Sequence, residues 1–219
     1  MAASDYRFMI VIMIIAICMT SYTSADPDFL QDVCVADLTS GVNLNGFACK
    51  SNISADDFFF AGLAMPVIPN NTFGVSVLRA SVKEINGLNT LGVSMTRADY
   101  APGGVNPPHI HPRATEIVFV LEGELDVGFI TTDNKLFSKT IKKGEIFAFP
   151  RGLIHLQINN GKVPASTIAA FNSQLPGSQR VGNALFASSP AVEDAVLTKA
   201  FQIGTKEVEK IKSRLAPKM

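Results

Sequence analysis

The sequence predicts an all-β domain, an antiparallel sandwich or barrel, with a C-terminal helical extension. Between residues 75 and 171, short β-type segments recur about every 8–12 residues, and Gly, Asn and Pro mark the turns between them. No helical stretch of about 12 residues separates these segments, which argues against a parallel βαβ fold. Apolar residues at helical spacing appear only after residue 189.

Length and charge indicate how many domains the chain forms and which partners it lacks. A chain of 219 residues is typical of one domain with a small appendage. Lys and Arg number 19, as do Asp and Glu, so the formal net charge is zero and no nucleic-acid partner is expected. General disorder is excluded by a composition of 47% hydrophobic and 17% charged residues.

Residues 1–25 are interpreted as a cleaved secretory signal peptide. A polar start with one cation precedes an uninterrupted apolar run over residues 8–19, and small residues follow at positions 23–25. The run is shorter than the ~20 residues that a membrane span needs. An uncleaved membrane anchor is the alternative. No later segment is long and apolar enough to span a membrane, so a secreted product is expected.

Residues 26–73 form an irregular N-terminal arm in this interpretation. Once the signal peptide is removed, Cys34 and Cys49 remain, an even pair in an oxidising compartment, and we expect them to form a disulfide. The two cysteines are 15 positions apart. In the chain-entropy model, a disulfide that closes a loop of this size stabilises the folded protein by ~3 kcal/mol. Two free buried thiols are the alternative. Three phenylalanines at residues 58–60 are expected to dock the arm.

Two asparagines of the arm begin N-glycosylation sequons. Asn52 starts Asn-Ile-Ser and Asn70 starts Asn-Asn-Thr, and both triplets fit the acceptor pattern. Such triplets also occur by chance, so glycosylation of either site is a prediction that agrees with secretion.

The β domain is expected over residues 74–185. Its predicted strands are residues 75–82, 91–95, 116–121, 124–131, 136–141, 146–149, 155–159 and 166–171. Four phenylalanines of these strands are expected in the core: Phe119, Phe129, Phe147 and Phe149.

The last segment, residues 186–219, is predicted to be helical. Ser189 and Pro190 are typical of a helix start, so a helix is expected over residues 191–200. A second helix over residues 205–215 has apolar residues at helical spacing. The sequence leaves open whether this pair packs on a neighbouring subunit or on its own domain.

The histidines indicate a metal site. His109 and His111 are two residues apart in a proline-rich segment, so in an extended chain both imidazoles point to one side. Glu116 would point to the opposite side of an unbroken strand, but residues 112–115 can turn the chain. His155 follows a Pro-Arg-Gly turn. Three imidazoles and a carboxylate form a plausible metal site. Ordinary half-buried histidines are the alternative, but these are the chain's only three histidines, and all of them flank turns.

Two spaced motifs carry a family resemblance. The pattern Gly103-x5-His109-x-His111-x4-Glu116-x6-Gly123 resembles the first cupin motif. The pattern Gly144-x5-Pro150-x-Gly152-x2-His155-x3-Asn159 resembles the second. Within the cupins the chain is similar to plant germin-like proteins, and the similarity extends from the arm, around Cys34 and Cys49, to the tail at residues 196–201.

The resemblance implies a jelly-roll β-barrel with a C-terminal helical extension. It implies Mn²⁺ held by His109, His111, Glu116 and His155. It also implies a hexamer, a trimer of dimers in which the C-terminal helices clasp neighbouring subunits. The location would be the extracellular space, the apoplast and the cell-wall matrix, and the family role is plant defence and wall metabolism.

The leading activity is dismutation of superoxide. An octahedral Mn²⁺ with four protein ligands leaves two positions open, whereas a tetrahedral Zn²⁺ would leave none, and iron also fits the ligand types. One carboxylate leaves a net charge of about +1 at such a site, which attracts a small anionic substrate. Redox cycling of manganese then needs no other catalytic side chain.

Oxalate oxidase, which produces hydrogen peroxide, is the second candidate. The oxalate-oxidising germins hold substrate with two asparagines; one matches Asn106, but the other falls at Thr96, whose hydroxyl replaces an amide. Losing a hydrogen-bond donor in a polar site lowers rates strongly. A non-enzymatic wall or receptor-like binding protein is a third possibility. A phosphodiesterase is disfavoured because the chain has no glycine-rich phosphate loop.

Overall fold

The computed structural model describes residues 31–42 and 46–216 of the chain. The predicted signal peptide lies outside the described residues. Within the described part, ten strands form two five-stranded antiparallel sheets, which confirms the predicted all-β jelly-roll class. The first sheet has the strand order β1-β2-β9-β4-β7, and the second has the order β10-β3-β8-β5-β6.

The strands, in chain order, have these bounds: β1 Val75–Ala80, β2 Ser94–Tyr100, β3 Val105–Ile110, β4 Glu116–Glu122, β5 Glu124–Ile130, β6 Leu136–Lys142, β7 Ile146–Phe149, β8 Ile154–Ile158, β9 Ala165–Phe171 and β10 Gln179–Arg180. Single turns of 3₁₀ helix lie at Ala55–Phe58 and Asn86–Leu88.

Most predicted strands appear within a residue or two of their expected bounds, but β2 begins and ends later than predicted. Two further strands, β3 and β10, were not predicted. The reason is clear for β3, which contains Pro107 and Pro108. Proline has no N–H to donate to the ladder, and the β3–β8 pairing shifts register between Asn106 and His109. Such a strand lacks the regular alternation that reveals the others.

The core lies between the inward faces of the two sheets. Strand β4 shows the alternation: Val118 and Val120 are buried, whereas Ile117 and Phe119 face outward. The prediction that Phe119 lies in the core is therefore wrong, since this side chain is 40% exposed. Phe149 is buried as expected, and Phe129 and Phe147 pack partly buried against the core.

The arm contains the predicted disulfide between Cys34 and Cys49. Buried Asn89 supports this loop: its Nδ2 donates to the carbonyl of Phe47 at 2.8 Å, and its Oδ1 accepts from the Phe47 N–H at 3.0 Å. Phe58 lies over Gly87, where an added Cβ would be 2.4 Å from the ring. Phe59 does not dock on this chain, because it is 68% exposed.

A buried ion pair holds the arm against the outer face of the first sheet. Arg97 and Asp99 on β2 form the pair, with Nη2 and Oδ1 3.0 Å apart. The arm binds both members: the Val67 N–H donates to Asp99 Oδ2 at 2.9 Å, and Arg97 Nη1 donates to the Leu63 carbonyl at 3.3 Å. Ser166 on β9 completes the network with a 2.7 Å hydrogen bond to Asp99.

Three helices follow the second sheet within the described residues: α1 Val181–Phe186, α2 Asp194–Phe201 and α3 Thr205–Leu215. Helix α3 has the predicted bounds, α1 was not predicted, and α2 begins three residues later than the predicted start at residue 191. Leu197 and Val208 are buried, so α2 and α3 pack against their own chain through these residues. Among the helices described, none has the length and apolar character needed to cross a membrane.

We expect Asp99→Asn to lower the free energy of unfolding by about 3–5 kcal/mol, because it leaves the Arg97 guanidinium buried without a carboxylate. Burial alone would raise the pKa of Asp99, but hydrogen bonds from Arg97, Ser166 and Val67 outweigh it, and the pKa lies below its usual value. The stabilisation is thus present above the unfolded-state pKa of about 3.9 and is lost as the pH falls through the native value.

Urea unfolding at pH 7 and at several values below pH 4 measures both effects. The difference between wild type and Asp99→Asn should be largest at pH 7 and should shrink on acidification. Exposed Asp32→Asn is the matched control and should change stability by less than about 0.5 kcal/mol. A difference of that small size for Asp99→Asn would contradict the role of the ion pair.

Candidate metal centre

The four predicted ligands come from both sheets and meet between them. His109 lies on β3, His111 directly follows that strand, and His155 lies on β8, opposite His109 in the pairing of the second sheet. Glu116 is the first residue of β4 in the first sheet. All four are at most 7% exposed, so the structure encloses one carboxylate and three imidazoles in the barrel.

Two turns bring these segments together. Residues 112 and 113 form the predicted turn between His111 and Glu116, where the Ala114 N–H donates to the His111 carbonyl at 3.4 Å. The turn before His155 contains Gly152, whose φ of 75° lies in the region that glycine adopts without strain. The Gly152 N–H donates to the same His111 carbonyl at 3.3 Å, which links both ligand-bearing turns.

The donor atoms converge closely. One potential ligand atom from each of the four residues lies within 4.8 Å of all the others. The Nε2 atoms of His111 and His155 are 3.0 and 3.2 Å from the same Glu116 oxygen, Oε2. This is the only such group of His, Cys, Asp and Glu side chains found among the residues that the structure describes.

Backbone carbonyls determine which nitrogen of each imidazole carries the proton. The Nδ1 atoms of His109 and His155 are 2.8 and 2.9 Å from the carbonyls of Pro107 and Leu153, and His111 Nδ1 bonds the Gly177 carbonyl. A carbonyl oxygen only accepts hydrogen bonds, so each Nδ1 must be the donor. All three Nε2 atoms are then free to turn lone pairs towards the centre, as metal-binding histidines do.

The charges of the cluster also suit a cation. Burial, aided by nearby His155, lowers the pKa of His109 to about 4, so this imidazole is neutral at pH 7. Burial alone would raise the pKa of Glu116, but the Nε2 atoms of His111 and His155, which donate to it when they are protonated, outweigh burial and lower the pKa to about 2. Carboxylate and imidazole lone pairs that face each other at 3 Å need a positive charge between them, either a proton or a metal ion. The donor set fits a divalent metal.

Aromatic rings hold the imidazoles in place. Phe149 stacks on His155 with ring centroids 4.5 Å apart, and Phe171 meets His111 edge to face at 4.8 Å. Both phenylalanines belong to the buried core. The rings limit rotation of the imidazoles and exclude water from that side of the cluster.

Gln157 is a member of the site that sequence reasoning missed. It is 2% exposed and lies two residues after His155 on β8, so it points to the same face. Its Oε1 accepts from Asn106 Nδ2 at 2.8 Å, and its Nε2 lies 3.5 Å from Glu116 Oε1. The even spacing from His155 was a signal that could have revealed it.

A cavity of about 480 Å³ opens beside the cluster. His109, His111 and Glu116 line it, as do both predicted substrate residues, Asn106 and Thr96. Thr96 lies on the inward face of β2, so its hydroxyl does not point outward as an ordinary surface strand residue would. The two predicted glycosylation residues, Asn52 and Asn70, are exposed and lie outside this cavity.

The double-sheet β fold with a buried cluster of three histidines and one glutamate defines a metal-binding jelly-roll protein. Residues 63–209 match the family model described as Cupin. Germin-like protein 5-1 of Oryza sativa subsp. japonica is 65% identical over 95% of both chains. Germin-like protein subfamily 2 member 4 of Arabidopsis thaliana is 68% identical over 88% of this chain and 89% of its own.

A solved structure agrees with these relatives. Recombinant oxalate oxidase in complex with glycolate is 47% identical, with a TM-score of 0.83 over 87% of this chain and 98% of that one. The chain therefore belongs to the cupin family and, within it, to the germin-like proteins, which confirms the resemblance stated from the motifs.

We expect Glu116→Gln to reduce the metal content of the purified protein at least about tenfold, because it removes the negative charge that balances the cation. Plasma mass spectrometry after dialysis against Mn²⁺ measures this, and added Mn²⁺ should raise the melting temperature of the wild type but not of Glu116→Gln. Glu122→Gln, an exposed residue of the same strand, is the matched control. Equal metal content in both variants would contradict the assignment of Glu116.

Proposed function

We propose that the protein is a manganese-dependent oxidoreductase with superoxide dismutase-like activity. The observation that carries this proposal is the buried cluster of three imidazoles and one carboxylate beside an open cavity. Each imidazole has its proton on Nδ1, which bonds a backbone carbonyl, and directs Nε2 towards the centre of the cluster. His109, His111, Glu116 and His155 would hold the metal. When bound there, manganese would supply one-electron redox chemistry through its Mn(II) and Mn(III) states.

The chain's own residues prepare this chemistry. The Pro107, Leu153 and Gly177 carbonyls hold the imidazole protons away from the centre. Glu116 contributes a single negative charge, so the loaded site keeps a net charge of about +1 and attracts a small anion such as superoxide. Burial in a barrel of low dielectric strengthens this attraction relative to water.

Oxalate oxidation is the second candidate, and two observations favour it. The chain resembles an oxalate oxidase over most of its length, and Asn106 and Thr96 both line the cavity. Asn106 is held by Gln157, so its amide is positioned. Thr96 is shorter than asparagine and offers one hydroxyl in place of an amide, which is why oxalate ranks second.

Secretion to the apoplast and cell wall, with a role linked to defence, belongs to the same proposal. A disulfide between Cys34 and Cys49 suits an oxidising compartment. Exposed Asn52 and Asn70 are accessible to glycosylation. A non-enzymatic wall or receptor-like protein would share these features, so the proposed activity needs a direct test.

Assembly into a hexamer, a trimer of dimers, is also proposed. The outward face of the first sheet presents four large apolar side chains that are 40–64% exposed: Met95, Ile117, Phe119 and Ile146. Phe119 lies opposite Ile146 across β4 and β7, and Ile117 shares the cross-strand partner Ala170 with Met95, so they form one apolar surface. A contiguous apolar surface of this kind is typical of a protein interface.

His109→Ala should reduce superoxide dismutation to the background rate, because it removes one of the three imidazole ligands. The cytochrome c reduction assay, run on manganese-loaded protein with metal content determined in parallel, measures the loss. Light scattering should give the same oligomer mass as the wild type, since His109 is buried on the second sheet, whereas the proposed apolar interface is on the outward face of the first sheet. Full activity in His109→Ala would remove the basis for a metal-dependent mechanism.

Thr96→Asn should raise kcat/KM for oxalate at least about tenfold, because it restores an amide to the cavity wall. Superoxide dismutation should stay within about twofold. Peroxide release from oxalate measures the first activity, and Thr140→Asn on exposed β6 serves as the control. If the wild type already oxidises oxalate as fast as the variant, the ranking of the two activities is wrong.

A further inference from the structure

Two arginines line the metal cavity without an acidic partner in the described part of the chain. Arg79 comes from β1 and Arg180 from β10, and Lys83 adds a third cation to the same cavity. The ion pairs found among the described residues involve neither arginine. The guanidinium groups are therefore available to a ligand.

The strand registers place one arginine beside each wall of the site. Arg79 is paired with Thr96 across β1 and β2, and Arg180 is paired with His109 across β10 and β3. Directly opposed residues of antiparallel strands project to the same face. Each guanidinium thus neighbours a residue that lines the cavity, one from the first sheet and one from the second.

Arg180 is held in position by an aromatic ring. Its guanidinium carbon lies 4.9 Å from the centroid of the Phe73 ring, within the range of a cation–π contact. The residue is half-buried. A positioned, partly desolvated guanidinium binds an anion more strongly than a mobile surface side chain does, because less side-chain freedom is lost on binding.

The cations that line the cavity outnumber its carboxylates, since Arg79, Lys83 and Arg180 share it with Glu84 and Glu116. Burial lowers the pKa of Arg180, and the positive charge of Arg79 lowers it further, so the two groups repel each other. Glu84 also lines the cavity, but its Oε2 accepts from the backbone N–H and the hydroxyl of Ser81, at 2.9 and 2.6 Å. An anion bound by both arginines would relieve their repulsion.

We propose that Arg79 and Arg180 form an anion-binding subsite that takes a carboxylate or phosphate group of a small organic anion. The planar guanidinium fork matches the paired oxygens of either group. This deepens the proposed function and rests on it for one point: the other end of the anion would lie at the metal cluster. The substrate class is then an organic anion with a second charged group, in addition to superoxide.

Isothermal titration calorimetry of the full, manganese-loaded protein at low salt tests the subsite. Malonate probes carboxylate binding and inorganic phosphate probes phosphate binding. Arg79→Gln and Arg180→Gln should each weaken binding of at least one probe about tenfold, and the double variant should weaken it further. Lys139→Gln removes one exposed positive charge on β6 and should leave both affinities within twofold of the wild type.

The dependence of probe binding on the two arginines decides whether the subsite exists. Arginine-dependent binding of malonate alone, phosphate alone or both supports the subsite and identifies the preferred group. Wild-type affinity for both probes in the double variant overturns it. Circular dichroism and metal content show that the variants are folded and loaded. If a Gln variant does not fold, Arg79→Lys and Arg180→Lys replace it, since lysine keeps the charge but lacks the planar fork. The same weakening of probe binding is expected for them. Wild-type affinity in these variants again overturns the subsite.

Parallel enzyme assays keep the two proposals apart. If the wild type neither dismutates superoxide nor oxidises oxalate but binds a probe through the arginines, the proposed function fails and the subsite stands. If the wild type is active and the double variant binds both probes normally, the subsite fails and the proposed function stands.

Discussion

The central constraint in this molecule is a buried carboxylate that faces imidazole lone pairs at about 3 Å. An ionised Glu116 inside the barrel is costly unless a positive charge neutralises it. Three backbone carbonyls hold the imidazole protons on Nδ1, on the far side of each ring, so the chain alone cannot supply that charge without protonating an imidazole. The cluster is therefore arranged for a cation, and the rest of the fold serves to keep its four side chains together.

The site also explains why ligand identity alone does not decide the reaction. Under the proposed function, the same four ligands would suit either superoxide or a small carboxylate, since both are anions. The difference lies in the cavity wall, where Thr96 and Asn106 face the space beside the cluster and Gln157 positions Asn106. Arg79 and Arg180 add positive charge at this wall. Under the proposed function, the choice between the two substrates would depend on these wall residues and not on the four ligands.

Much of the site could be predicted from local spacing. The pair His109 and His111 points to one side because extended chains repeat every two residues, and the disulfide followed from the even cysteine count. The same alternation failed for Phe119, because β4 is apolar on both faces and its outward side chains form an exposed surface. It also failed for β3, where two prolines remove ladder hydrogen bonds and shift the register.

The amino-acid sequence by itself determined the ligand types, the all-β class, the germin-like resemblance and the cysteine pair, because each is encoded in short-range spacing or in residue identity. Only the tertiary structure decided that Glu116 meets the three imidazoles from the opposite sheet, that Phe119 lies outside the core, and that Arg79 and Arg180 share one cavity. These relations join residues of different sheets or distant strands. They depend on long-range strand pairing and sheet packing, which no local pattern specifies.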